Sequence, residues 1–293
     1  VGVAGLGRMG AAIAERLKEV GHELTVWNRS PEKTKSLAEA GAGVASSPAE
    51  LAECVDAVIT ILTDADAIRA VYQGPSGLLS ADVRGKLFIE MSTVQPATEI
   101  ELAEAVRAKG AAFVECPVGG TTGPARTGKL IGLAGGEADD VARARPILDQ
   151  LCRRLEHVGP VGAGASMKLA INLPLLVFWQ AFGEAYSLCR HLGADTGKLV
   201  ELFSDTSGGP NVLKVRSQAV AAALDGGDPG PATFDVDSIR KDLRTMIAEA
   251  KQRGTELPLV ERTLAVYDEA SQAGWGGRDS ASLAAYWPSR TSR

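Results

Sequence analysis

A chain of 293 residues exceeds what one ordinary core supports, so length alone favours two domains. Hydrophobic residues at 45% and charged residues at 23% fit a soluble globular protein, and a net charge of -5 argues against nucleic acid or an anionic membrane as partner. The four cysteines (Cys54, Cys116, Cys152, Cys189) and three histidines (His22, His157, His191) show no ligand spacing, so no metal is expected and the thiols read as reduced.

Along the first part of the chain, short β-branched strands alternate with helices. Strands are expected at 1–4, 24–27, 57–62, 87–90, 112–115 and 131–134, with a last segment near 155–158. Helices are expected at 10–20, 31–40, 48–54, 65–72 and 96–109. That alternation is the sequence form of a doubly wound, Rossmann-type parallel sheet. After Gly159-Pro160 the character changes: one long helical pattern runs from about 163 to 192, further helices follow, and no strand-like run returns. The expectation is an α/β fold, with a Rossmann domain over 1–160 and an all-helical domain over 161–293 carrying a long interdomain helix. That helix would measure roughly 45 Å, and Pro174 should kink it. Pro229 to Pro231 mark a loop. The longest strongly apolar run, 173–179, is short for a bilayer, and no leader pattern precedes the first strand, so the cytoplasm is the expected compartment.

The chemistry begins at Gly5-Leu6-Gly7-Arg8-Met9-Gly10, between a Val-rich strand and an amphipathic helix. The first glycine permits a tight turn, the second lets backbone approach a pyrophosphate, and the third allows close helix–strand packing. About twenty residues on, NAD enzymes usually place an acid for the ribose 2′-hydroxyl. Here the segment is Trp27-Asn28-Arg29-Ser30. Arg29 can stack on adenine and pair with a 2′-phosphate, while Asn28 and Ser30 offer hydrogen bonds, so NADP is favoured with NAD possible. Leu62 and Thr63, at the end of the third strand, join the cofactor-contacting set. So do Ser92 and Thr93, at a strand's carboxyl end, where hydroxyls suit the nicotinamide ribose. The next strand ends in Glu115-Cys-Pro-Val-Gly119-Gly120-Thr121-Thr-Gly-Pro-Ala125, whose backbone N–H groups suit a carboxylate or phosphate. Finally, Lys168 and Asn172 stand four apart on one helix face, and a lysine beside a nicotinamide can exchange a proton with the oxygen of the reacting carbon.

Taken together, these motifs resemble the β-hydroxyacid dehydrogenase family over essentially the whole length. The likeness is carried by GLGRMG, STVQP, CPVGGTTGPARTGKL, GAGASMKLAIN, Arg240-Lys241-Asp242-Leu243 and Gly274-Trp-Gly-Gly-Arg-Asp279. The resemblance, to 3-hydroxyisobutyrate dehydrogenase among others, implies a catalytic Lys168 and an Asn172 that also touches substrate. It implies a substrate acid group held by Gly119, Gly120 and Thr121, with Lys241 completing the site. A small carboxylic acid substrate and a homodimer or homotetramer follow from the same likeness. Two positions depart from the family pattern: Gly119 stands where a serine is common, with Thr121 or Thr122 as a replacement, and Pro174 follows Asn172. The alternatives are an imine reductase, which generally lacks the lysine and the PV-G-G loop, and a non-catalytic NADP-binding scaffold. A 6-phosphogluconate dehydrogenase would need a larger helical domain.

Overall fold

Val3, Ile59, Ile89 and Val114 face one apolar cluster, and their strand neighbours Ala4, Val58, Phe88 and Phe113 face another. Successive side chains of a strand point to opposite faces, so these strands are buried on both sides, as parallel sheets require. The computed structural model describes residues 1–290 and divides into two compact units, Val1–Leu169 and the part from Ala170 onward.

The first unit is built on a nine-stranded sheet. Its strands are β1 (Gly2–Ala4), β2 (Thr25–Trp27), β3 (Gly43–Val44), β4 (Ala57–Thr60), β5 (Leu87–Glu90), β6 (Ala112–Glu115), β7 (Val118–Gly119), β8 (Leu130–Gly136) and β9 (Cys152–Gly159). The order β3-β2-β1-β4-β5-β6 is parallel throughout, with the chain reversing direction of travel at β1. β8 then joins antiparallel to β6 and to β7 along one edge, and parallel to β9. The helices α1 (Arg8–Glu19), α2 (Lys35–Glu39), α3 (Pro48–Cys54), α4 (Ala65–Gln73), α5 (Pro96–Ala108), α6 (Thr122–Arg126) and α7 (Ala138–Leu151) accompany the strands. Local chemistry sets their starts. Ser47 and Asp64 cap α3 and α4 by accepting from Glu50 and Ala67 N–H, and Pro48 and Pro96 open their helices where no N–H is needed. Phe88 and Phe113, both fully buried, contribute on the order of 2–3 kcal/mol each to this core.

Most expected elements appear within a residue or two, with four differences. The two-residue strands β3 and β7 are too short to leave a period in sequence. Helix α7 was not among those expected, although Val141, Ala144, Leu148 and Leu151 make an apolar stripe at helical spacing. The short α6 falls inside the glycine-rich loop, and the segment 31–40 splits into a 3₁₀ turn (Pro31–Thr34) followed by α2.

The second unit is helical. It takes in most of α8 (Ala163–Cys189), followed by α9 (Thr196–Ser204), α10 (Asn211–Val215), α11 (Ser217–Leu224), α12 (Val236–Gln252), α13 (Pro258–Ala270) and α14 (Leu283–Arg290). Among the described residues no strand follows β9; only an isolated bridge links Asp235 and Asp279. α8 runs unbroken through Pro174. By length and composition, Ala163–Leu192 would suffice to cross a membrane, with a mean hydropathy of 1.3, although its uninterrupted apolar run, 173–179, covers only a short part of it. Here 44% of its most apolar stretch is buried. Trp179 and Phe182 are buried, the Tyr267 hydroxyl donates to the Leu176 carbonyl (2.9 Å), and a Cβ at Gly183 would press on the Ala284 carbonyl of α14.

Candidate active site

At their carboxyl ends, β1, β4, β5 and β6 stay in step beyond the strands. Ile61 N–H donates to the Ala4 carbonyl (3.2 Å), Met91 N–H to Thr60 (2.8 Å) and Cys116 N–H to Glu90 (2.6 Å). The segments leaving these ends therefore gather along one edge, where open α/β sheets bind ligands.

Gly5 has a φ of +97°, donates its N–H to the Trp27 carbonyl (3.0 Å), and has no room for a Cβ beside the Ile61 carbonyl. A Cβ at Gly10 would overlap the Gly5 carbonyl, so α1 can lie this close to β1 only with glycine there. Gly7 is the opposite case: a Cβ there would meet nothing within 4 Å. It is the N-cap of α1, offers no side-chain cap, and the first turn holds no acid. Bare backbone at a helix N-terminus facing open space is a cradle for an anion, so the turn fits the pyrophosphate of a dinucleotide. Leu6 is buried in this turn, Met9 half-buried and Arg8 exposed.

Asn28 is engaged within the protein. Its Oδ1 accepts from Leu6 N–H (2.8 Å) and its Nδ2 donates to the Ser30 carbonyl (2.9 Å), so it clips the glycine turn to the end of β2. Arg29 beside it is exposed and Ser30 half-buried. Ser92 is likewise engaged within the protein: it is 2% exposed, accepts from Leu62 N–H (2.7 Å) and donates to Glu90. Thr93 and Thr63, half-buried and exposed, are the more accessible hydroxyls at this edge.

Beneath the edge lies a set of buried groups that sequence reasoning passed over. The Tyr72 hydroxyl meets Thr60 Oγ1 (2.8 Å), Thr60 reaches Glu90 (3.4 Å), and Glu90 also accepts from Ser92 N–H (2.8 Å). Burial raises the Glu90 carboxyl above the ordinary range; burial and then the facing charge of Glu90 raise Glu99 of α5 well above it. Glu115, at the end of β6, is fully buried and accepts three backbone bonds, from Gly162 (2.5 Å), Gly164 (2.9 Å) and Ala165 (3.1 Å). Burial pushes Glu115 up to about 7 against the opposing effect of those amides. The only signal in sequence was an acid at a strand end together with Gly162-Ala-Gly164.

The glycine-rich loop after β6 is partly strand. Leu133 N–H donates to the Pro117 carbonyl (3.1 Å), and antiparallel alternation then makes Gly119–Ile131 the next hydrogen-bonded pair. The Gly119 amide thus belongs to the ladder, and the backbone beyond it, from Gly120 through Thr121 to Thr122, is what the loop presents. Gly120 has a φ of +123°, which favours glycine, and a Cβ there would press on the Leu130 side chain. At Gly119 a Cβ would make only ordinary contact with Ile131, so a serine would fit and its absence leaves room.

Lys168 and Asn172 both belong to α8, are 7% and 8% exposed, and share its buried face with Ala165, Leu169 and Leu176. In the second unit, α12 is capped by Asp235, which accepts from Ser238 N–H (2.8 Å). Lys241 lies in its second turn, with Nζ 2.5 Å from the buried carboxylate of Asp242. Asp279 of the glycine-rich tail is buried, pairs with Arg216, and accepts from Thr233 (2.8 Å) and Ala281 (2.9 Å) N–H.

Comparison with known proteins covers both parts of the chain. Residues 1–159 match the NAD binding domain of 6-phosphogluconate dehydrogenase, and residues 162–287 match the NAD-binding domain of NADP-dependent 3-hydroxyisobutyrate dehydrogenase. The 3-hydroxyisobutyrate dehydrogenase of Pseudomonas aeruginosa is 34% identical over 287 residues, 95% of each chain. Glyoxylate/succinic semialdehyde reductase 1 of Arabidopsis thaliana is 32% identical over 95% of each. Among solved structures, a 3-hydroxyisobutyrate dehydrogenase from Salmonella typhimurium superimposes with a TM-score of 0.86 at 27% identity, covering 97% of this chain and 98% of that one. With matches of this extent in both halves, and a glycine turn shaped for a dinucleotide, the chain belongs to the β-hydroxyacid dehydrogenase family and is an NAD(P)-dependent oxidoreductase.

Proposed function

We propose that the protein interconverts a small 3-hydroxy acid and the corresponding semialdehyde or oxo acid, with NADP(H) preferred over NAD(H). The observation that carries the reading is the pair Lys168 and Asn172 on the buried face of α8, in a chain whose first turn cradles a dinucleotide. When bound, the cofactor supplies or accepts the hydride. Lys168 holds or takes the proton of the substrate oxygen, and Asn172 keeps the lysine or that oxygen in line. The amides of Gly120, Thr121 and Thr122, with Lys241, bind the acid group, and the space at Gly119 admits a substituent larger than methyl on the α-carbon.

Preference for NADP(H) is supported at the end of β2. No carboxylate stands between Trp27 and Ser30, Asn28 is occupied as a clip, and Arg29 is exposed to meet a 2′-phosphate. Leu6, Arg8, Met9, Thr63 and Thr93 complete the cofactor contacts, with Leu62 and Ser92 shaping that edge from below. Assembly as a homodimer or homotetramer is supported by the exposed apolar side chains of α8 and the turn after it, Leu188 and Leu192, and is checked by light scattering.

The test is a steady-state screen of the purified protein with NADPH and NADH against a panel of semialdehydes, and with NADP and NAD against 3-hydroxy acids. Turnover with NADPH at lower KM than NADH is the expected result. Binding of NADPH without turnover of any panel member favours the scaffold reading, and reduction of cyclic imines alone favours the imine reductase.

A further inference from the structure

We propose that Glu115 is a positioning residue for Lys168, serving as an N-terminal cap that strand β6 lends to α8. The inference rests on the dehydrogenase reading above.

A helix start leaves several N–H groups without intrahelical partners, and a Ser, Thr, Asp or Asn just before the first turn ordinarily satisfies one of them. The stretch before α8 reads Gly159-Pro160-Val161-Gly162 and holds none of these. The cap comes instead from 47 to 50 residues upstream. Glu115 Oε1 accepts from Gly162 and Gly164, and Oε2 from Ala165. A carboxylate here also meets the positive end of the helix dipole.

Three glycines make this approach possible. A Cβ at Gly135 would overlap Glu115 Oε1, and one at Gly164 would overlap the Leu133 carbonyl and crowd the Glu115 carboxyl. Gly162 has a φ of +96°, which turns its N–H toward the carboxylate. The spacing Gly162-Ala-Gly164 thus has its reason in an acid on another strand.

Lys168 follows Gly164 by four residues, one turn along the same helix. The turn that Glu115 fixes is therefore the turn on which Lys168 stacks, and a helix transmits displacement of one turn to the next. Glu115 also stands four residues before Gly119, at the root of the loop proposed to bind the acid group. One buried side chain thus ties the lysine-bearing helix to the strand that leads into that loop. Glu90 of β5 and Glu99 of α5 act on it as like charges, and the three amides at the start of α8 donate to its oxygens.

The test uses the full chain with two variants. Glu115→Gln keeps the side-chain shape and removes the charge; Glu115→Asp keeps the charge and shortens the reach. Lys168 is followed by its NMR signal after reductive ¹³C-methylation, assigned with Lys168→Arg, alongside kcat and the NADP(H) KM. Misplacement by an ångström costs on the order of 10² in rate, so Glu115→Gln should lose at least about tenfold in kcat. Its NADP(H) KM should stay within about twofold, because the cofactor turn is untouched. The Lys168 signal should move, and Glu115→Asp should recover part of both effects. A Glu115→Gln protein with wild-type kcat and an unmoved Lys168 signal overturns the proposal. So does equal loss of kcat in both variants with that signal unmoved. If the wild type turns over no substrate, the dehydrogenase reading fails by itself; a displaced Lys168 signal in Glu115→Gln then still supports the positioning role, and an unmoved one refutes it.

Discussion

Acidification should stabilise the cofactor-binding unit, and Glu115→Gln should abolish much of that gain. The native carboxyl sits near pH 7, against an ordinary value of 4.5, because burial outweighs its three amide bonds. The folded protein therefore holds this proton more tightly than the unfolded chain does. Stability falls as pH rises through the interval between the two values, and is fully recovered only below the lower one. Taking 4.5 unfolded and 7 folded, lowering the pH from about 8 to about 5 adds roughly 2.5 kcal/mol from this one group. Glu90 and Glu99 shift in the same direction, but they remain in the variant and largely cancel in the comparison. Glutamine imitates the protonated acid, so its unfolding should be nearly flat where the wild type climbs. With a slope of about 2.5 kcal/mol per molar urea, the wild-type midpoint should gain about 1 M more than the variant's between these pH values. The assay is urea unfolding of both proteins at matched ionic strength, followed by far-ultraviolet circular dichroism. Parallel midpoints across the range would show that the buried carboxyl titrates normally, and the argument from burial would be wrong.

Other residues offer sharper functional contrasts. Arg29→Ala removes the guanidinium proposed to meet the 2′-phosphate, a charge-assisted contact worth roughly 1.5–3 kcal/mol, so the NADP(H) KM should rise by about one to two decades with little effect on NAD(H); equal losses for both cofactors refute the assignment. Lys168→Ala should cost about 10²–10⁴ in kcat with NADP(H) affinity preserved, and Lys168→Arg should fare little better because a guanidinium keeps its proton. A Lys168→Ala protein within tenfold of wild type, with hydride transfer rate-limiting in both, removes the lysine from the chemistry. Gly10→Ala drives a Cβ into the Gly5 carbonyl, so thermal unfolding should show a loss of about 1–3 kcal/mol or more, together with loss of dinucleotide binding; unchanged melting would mean α1 is held more loosely than described.

What could be read from sequence follows from how far each residue's reasons extend along the chain. Gly5, Gly7 and Gly10 declare themselves because their demands are local: a positive φ, an open face, and a close approach within one strand–turn–helix unit. The strands of the parallel sheet declare themselves by continuous burial. Ser92 was legible only as a hydroxyl at a strand end; one of its partners, the Leu62 amide, is 30 residues away in sequence, and nothing near Ser92 hints at that contact. The clip made by Asn28 was hidden for the same reason, since its Leu6 partner lies 22 residues earlier in the chain. Glu115 was hidden most thoroughly, because its ligands are backbone atoms, which carry no residue type to recognise. The Val118–Gly119 strand is too brief for any period and exists because β8 offers a free edge there.

The capping of α8 also dictates where this protein can be cut. Ending a chain at Gly159, where the match to the first family model stops, removes every amide that Glu115 binds and strands a carboxyl at a newly opened surface. Ending it after Leu169 keeps the capped turn but severs α8 between Lys168 and Asn172. A fragment intended to report faithfully on dinucleotide affinity therefore needs a tail from α8 that lies beyond the first family match, and grafting this half onto another helical partner would have to carry Glu115, Gly135, Gly162 and Gly164 across as one set.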